Sequence, residues 1–213
     1  MNKEVLVIGA GGHAKVVIDL LRACGWEIYA LFDDDVQKQG VPFYGIPVRG
    51  VTADALAYAA QHNVSRFIVA IGNNAVRLKA AARLEAQGLQ AVTAVHPSAV
   101  LAPSVRIEAG TVVMPGVCIN ADTRIGHHVI INTRASVDHD CVIADGVHIG
   151  PGSTLCGGVK VGAGTLIGAG SALTPGVAVG SNVRVGAGAA VIGPIADGVT
   201  VAGVPARLIE KKS

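Results

Sequence analysis

Aromatic side chains make up only 3% of the 213 residues, so the bulky rings that usually fill a mixed core are nearly absent. Cysteine is sparse too. Cys24, Cys118, Cys141 and Cys156 form no C-x-x-C pair and no zinc-ligand spacing, which speaks for a reduced, intracellular chain without a disulfide framework. Long apolar runs are missing: the stretches from Val5 to Ala10 and from Phe67 to Ile71 fall far short of the ~20 residues of a membrane span. The opening Met1-Asn2-Lys3-Glu4 leads at once into a short apolar run and a glycine turn, not into a signal peptide, so the expected location is the cytoplasm. Charge of either sign is balanced, with 17 basic against 15 acidic residues, and the one basic cluster is the Glu210-Lys211-Lys212 tail. Nucleic acid is therefore not an expected partner.

Glycine and aliphatic residues are what the chain has in excess. Apolar residues reach 51%, and there are 28 glycines, well above the average usage of about 7%. Their arrangement is periodic. Stepping by six from Val95 through Leu101, Ile107 and Val113 to Val191 meets seventeen positions, every one aliphatic. Four residues after each comes a small or β-branched residue, as in Thr111, Val129, Cys141, Ser153 and Ala189, with Gly, Asn or Asp frequent in between. A period of six fits neither the helix nor simple strand alternation, so each hexad is one short strand and a turn, and three hexads close a triangular coil. Residues 95–213 are thus expected to form a left-handed parallel β-helix of between five and six coils, with Cys141 facing inward as a structural thiol.

Residues 1–94 follow another pattern. Glu4-Val5-Leu6-Val7-Ile8 reads as a buried strand, Gly9 to Ala14 as a glycine turn, and Lys15 to Cys24 as a helix. Further strands, Ile28 to Phe32 and Phe67 to Ile71, end in Asp33-Asp34-Asp35 and in Gly72-Asn73-Asn74. Alternating strands and helices predict a small Rossmann-like α/β domain with ligands at the carboxyl ends of its strands. The Gly9-x-Gly11-x-x-Ala14 spacing lets backbone amides approach phosphate oxygens, and Asp33 or Asp34 can accept hydrogen bonds from a ribose or base. A tight turn without ligand explains the same glycines, and a solvated loop explains the same acids.

Among the seven histidines, His62 and His96 read as structural, and His127 and His128 as exposed turn residues. His139 differs because Asp138 and Asp140 flank it on a repeat corner. A neighbouring carboxylate can fix the imidazole tautomer and stabilise the imidazolium that forms when it takes a proton. A surface histidine in a polar turn is the competing reading. His148, three residues after Asp145 and facing another corner, either orients a thioester or caps its turn. Gly150, Gly152, Gly157 and Gly158 leave bare backbone where an oxyanion can meet an N–H, although coil geometry alone also asks for glycine.

Five segments then carry a resemblance over essentially the whole chain. They are Gly9 to Val17, Ala70 to Asn74, His96-Pro97-Ser98-Ala99, Asn132-Thr133 with Val137 to Cys141, and Ala202 to Ala206. Together they resemble the hexapeptide-repeat N-acetyltransferases of nucleotide-linked amino sugars, relatives of the sialic-acid O-acetyltransferases. The resemblance implies a homotrimer, acetyl-coenzyme A as co-substrate and no metal. It implies that Gly11, Gly12 and His13 lie near the phosphates and sugar of the acceptor, Asp33 and Asp34 near its base, and Asn73 with them. His139 would be the general base, with Asp140 where the family often has Glu. His148, the Gly157 backbone and Ala169 would contact the acetyl thioester and the pantetheine arm. The implied reaction is direct transfer to the C4 amine of a 4-amino-4,6-dideoxyhexose, UDP-linked by a slight lean and GDP-perosamine otherwise. Three other readings stay open: an NAD-binding sensor or dehydrogenase, a scaffold or zinc carbonic anhydrase on the same coil, and transfer to a sugar hydroxyl.

Overall fold

The computed structural model describes residues 3–209, and the chain divides between Ala94 and Val95 into two compact units. The first is a parallel sheet with helices on both faces. Its elements are β1 (Glu4–Ile8), α1 (Gly12–Ala23), β2 (Glu27–Phe32), β3 (Pro42–Phe43), β4 (Ile46–Gly50), α2 (Ala55–His62), β5 (Arg66–Val69), α3 (Asn74–Glu85) and β6 (Gln90–Ala91). Strand order is β3-β4-β2-β1-β5-β6, parallel except for the β3–β4 pair. Leu6, Ile8, Phe32, Phe67 and Val69 share one buried cluster with Ala55, Ala59, Ala81 and Leu84 of α2 and α3. Alternation along the strands sends Val5, Val7, Leu31 and Ile68 to the opposite face, the side left for the buried stripe Val17, Ile18, Leu20 and Leu21 of α1.

The order of strands has one functional consequence. The chain runs outward from β1 through β2 to β4, then crosses back to β5 on the other side of β1. That reversal opens a crevice at the carboxyl ends of β1 and β5, where open α/β sheets hold ligands.

The second unit is a left-handed parallel β-helix. Two-residue strands pair in parallel with partners eighteen residues away, as Ser136–Val137 does with Thr154–Leu155, and they stack into faces of eight, six and five strands, the largest of which ends in the three-residue strand Thr200–Ala202 and, antiparallel to it, Arg207–Leu208. From Val113 to Val191, the aliphatic residue of every hexad is buried, and so is its small companion from Thr111 to Ala189. Polar companions are satisfied within the coil. The hydroxyls of Thr111, Thr123, Ser153, Thr165 and Ser171 donate to the carbonyls of Gly126, Asp138, Gly168, Gly180 and Gly186, each at 2.7–3.0 Å. The buried thiol of Cys141 points to the Cys156 carbonyl in the same way, and burial first of all pushes its pKa up.

Turns make the period visible a second time. From Gly110 to Gly188, the residue three past each inward aliphatic has positive φ, and glycine fills that corner except at Asp122, His128, Arg134, Asp140 and Asn182. His128 corrects the expectation of an exposed turn. It is buried, because its ring packs over the bare Cα of Gly110 one coil earlier, whereas His127 stays exposed near Glu108.

Candidate active site

The glycine turn after β1 is held from several sides. Gly9 has φ +107°, and a Cβ there would come within 2.9 Å of Ile71 Cγ1 and 3.0 Å of the Ala70 carbonyl, so the approach of the β5 end requires glycine. Gly11 and Gly12 are different: their φ values are ordinary, and a Cβ on either would point into open space. The fold itself does not demand glycine at these two positions. They begin α1, whose N-cap is Gly11, and line a crevice of about 310 Å³ with Gly9, His13, Asp33, Asp34, Thr52 and Gly72.

Both carboxylates in that crevice are engaged by the protein. Asp33 accepts from the amides of Ala10 (2.6 Å) and Asp35 (3.0 Å) and pairs with Lys38 Nζ at 3.2 Å. Burial works to raise the Asp33 pKa, but these donors outweigh it and hold the carboxyl below its usual range. Asp34 accepts from the Thr52 amide at 2.8 Å. Asn73 stands outside the lining and caps α3 by accepting from Val76 N at 3.1 Å. His13 is half-buried and largely neutral: burial first, then the nearby Arg77 cation, lowers its pKa to about 4. Sequence reading missed Arg77, which is 1% exposed although it lies in an Ala-rich helix where arginine is expected in solvent.

On the β-helix, His139 and Asp140 share one exposed corner, with Nδ1 and Oδ2 2.7 Å apart. Asp140 adopts φ +58° to turn that corner. Asp138 braces it from the other side, accepting from His139 N at 2.9 Å and Asn120 Nδ2 at 2.7 Å. The Asp140 hydrogen bond first, then the Asp138 charge, raises the His139 pKa. With Nδ1–H donating to Asp140, Nε2 carries the lone pair. The ring lies over Gly157 in the next coil, so close that a Cβ there would sit 2.6 Å from both Cε1 and Nε2. Among the described residues, no protein acceptor takes the Gly157 amide, while its carbonyl accepts from Gly176 N at 2.9 Å.

His148 and Ala169 belong to other parts of the coil. His148 lies in a strand, not at a corner, with Nε2 3.0 Å from Asn132 Nδ2, and Ala169 is exposed in the turn after Leu166–Ile167. The structure thus brings His139, Asp140 and Gly157 together on one edge of the prism and sets His148 and Ala169 elsewhere on it. His62 Nδ1 lies 3.0 Å from Tyr29 Oη, and His96 closes a small turn with Ser98. Among the described residues, no cluster of three or more His, Cys, Asp or Glu is placed to hold a metal, and no helix is long and apolar enough to cross a membrane.

Residues 4–84 match the PglD N-terminal domain, and residues 122–157 match the bacterial transferase hexapeptide (six repeats). A point mutant of GDP-perosamine N-acetyl transferase from Caulobacter crescentus, solved with CoA and GDP-perosamine, is similar with a TM-score of 0.93 and 44% identity, over 98% of this chain and 97% of that one. The acetyltransferase domain of PglB from Neisseria gonorrhoeae FA1090, solved with acetyl coenzyme A, gives a TM-score of 0.90 and 38% identity, over 98% and 100%. UDP-N-acetylbacillosamine N-acetyltransferase of Bacillus subtilis (strain 168) is 41% identical over 118 residues, a stretch that spans half of that curated relative. Similarity of this extent, across both units at once, makes the chain a member of the hexapeptide-repeat N-acetyltransferases of nucleotide-linked amino sugars.

Proposed function

We propose that the protein acetylates the C4 amine of a nucleotide-linked 4-amino-4,6-dideoxyhexose, with acetyl-coenzyme A as donor, in the cytoplasm. The observation that carries this reading is the His139 ring, oriented by Asp140 and laid over the Gly157 backbone. The amine nitrogen attacks the thioester carbonyl and Nε2 of His139 takes the amine proton. The Gly157 N–H stabilises the oxygen as it gains charge, and the C–S bond breaks to release coenzyme A. No covalent acyl-enzyme is needed. Support for the acceptor comes from the crevice at Gly11, Gly12 and His13, where helix amides suit phosphate oxygens. Asp33 and Asp34 act there by shaping the loops that face the base, and Asn73 by starting α3.

His148 and Ala169 are assigned to the coenzyme. Their separation from the His139 edge is met if three copies associate, so that one protomer's edge faces another's coil. A UDP-linked acceptor is the first reading, implied by the resemblance of the Asp33-Asp34-Asp35 run to relatives that bind UDP. GDP-perosamine is the second reading, favoured by the 44% identity along the full chain of the Caulobacter enzyme. The test is a comparison of kcat/KM for UDP- and GDP-linked 4-amino-4,6-dideoxyhexoses with acetyl-coenzyme A. Acetylation of one of them at an enzymatic rate upholds the reading, and inertness toward both, with transfer to a sugar hydroxyl instead, overturns it.

A further inference from the structure

Among the described residues, the crevice assigned to the nucleotide is lined by two carboxylates and by no lysine or arginine, an odd lining for a ligand that carries a diphosphate. Lys38, beyond β2, is held by the wall residue Asp33 at 3.2 Å. Directly behind the wall lies Arg77. Its Nη1 donates to the carbonyls of Ile71 (3.0 Å) and Gly72 (3.3 Å), and its Nη2 donates to Asn74 Oδ1 (2.9 Å). Ile71 and Gly72 are themselves wall residues, and a Cβ on Gly72 would lie 4.0 Å from the His13 Cβ. The guanidinium is therefore fixed one residue layer from the place where the phosphates would lie.

We propose that Arg77 is a positioning residue for the acceptor: from behind the Ile71–Gly72 turn it supplies the positive potential that holds the diphosphate against the α1 amides, without touching the ligand. A fixed, buried cation is screened far less than a surface one, so it attracts an anion across a thin wall. An arginine kept only as a staple would have another signature. Loosening the turn would disturb the whole crevice, including the part that receives the neutral base and ribose, whereas loss of charge penalises phosphate alone.

The proposal rests on the crevice being the nucleotide site, and the experiment separates the two. Inhibition constants for UDP, GDP, uridine and guanosine are measured with the wild type, Arg77→Met and Arg77→Lys, next to kcat and KM for the amino-sugar substrate. If neither diphosphate binds the wild type, the assignment of the crevice falls. If one binds, Arg77→Met is expected to weaken it about tenfold, the order expected for one weakly screened unit charge acting across a thin wall, and to leave the matching nucleoside unchanged. The substrate KM rises in step while kcat at saturation stays within about twofold, the pattern of lost ground-state binding. Arg77→Lys keeps the charge and should hold the diphosphate within about threefold of wild type. Equal weakening of nucleoside and diphosphate in either variant, or no weakening in Arg77→Met, overturns the proposal. Should Arg77→Met fail to fold, Arg77→Gln, which keeps a donor for the Ile71 carbonyl but not the charge, decides: a diphosphate-to-nucleoside ratio lowered about tenfold upholds it, and a wild-type ratio overturns it.

Discussion

Replacing Gly157 by alanine isolates the geometry of the proposed base from its chemistry. The new Cβ would stand 2.6 Å from Cε1 and Nε2 of His139, against at least 3.4 Å for ordinary van der Waals contact, so the ring must retreat by roughly 0.8 Å. Gly157 does not have positive φ, and the atoms in the way belong to an exposed side chain. The fold should absorb the change within about 1 kcal/mol. The proton acceptor, however, moves away from the attacking amine, and a misplacement near 1 Å costs about 10²-fold in rate. Gly158→Ala is the control: its φ is +71° and the nearest atoms to a new Cβ are 3.8 Å away on Gly176, so the penalty is strain of about 1–2 kcal/mol with no obstruction of His139. Turnover is followed by thiol release from acetyl-coenzyme A, and stability by thermal melting. Gly157→Ala should lose activity and keep its melting temperature, and Gly158→Ala the reverse. A Gly157→Ala enzyme with near-wild-type kcat would refute the placement of the His139 ring over this residue in the working enzyme.

Two further outcomes follow from the same coil. Asp140→Asn removes the group that does most to raise the His139 pKa. Because the base works unprotonated, the acid limb of the kcat/KM profile should move to lower pH, toward the ordinary value near 6.5, as the rate falls; an unmoved limb would separate His139 from that titration. Thr123→Val takes away a hydroxyl that donates to Asp138 O (2.7 Å) and accepts from Cys141 N (3.2 Å), so urea unfolding should show a loss of about 1–3 kcal/mol, and an unchanged midpoint would contradict the role given to these buried hydroxyls.

The β-helix is legible in the sequence because its side chains repeat in register with its geometry. An aliphatic residue every six positions is both the pattern read from Val95 to Val191 and the core observed. Its corners are less legible. Glycine announces a left-handed turn, but Asp122, His128, Arg134 and Asp140 adopt the same conformation with nothing local to mark it. For His128 the error had a specific cause: the space its ring fills is created by Gly110, eighteen residues earlier, a neighbour only in the stacked coil. In the α/β unit the glycine turn and the Asp run were visible, but what the acids hold was not. Asp33 grips Ala10 across two strands and Asp34 grips Thr52, contacts that exist only after β2 lies beside β1 and β4. Arg77 gave no signal at all, since burial by tertiary packing overrides the expectation that a charged residue on a polar helix faces water.

The most direct measurement follows thiol release from acetyl-coenzyme A by wild type and His139→Ala, each with and without the 4-amino sugar nucleotide. Direct transfer assisted by His139 predicts release only when the acceptor is present, one thiol per amide formed, and a turnover roughly 10² to 10⁴-fold lower in the variant. A burst of thiol without acceptor, or a variant as fast as the wild type, would contradict it.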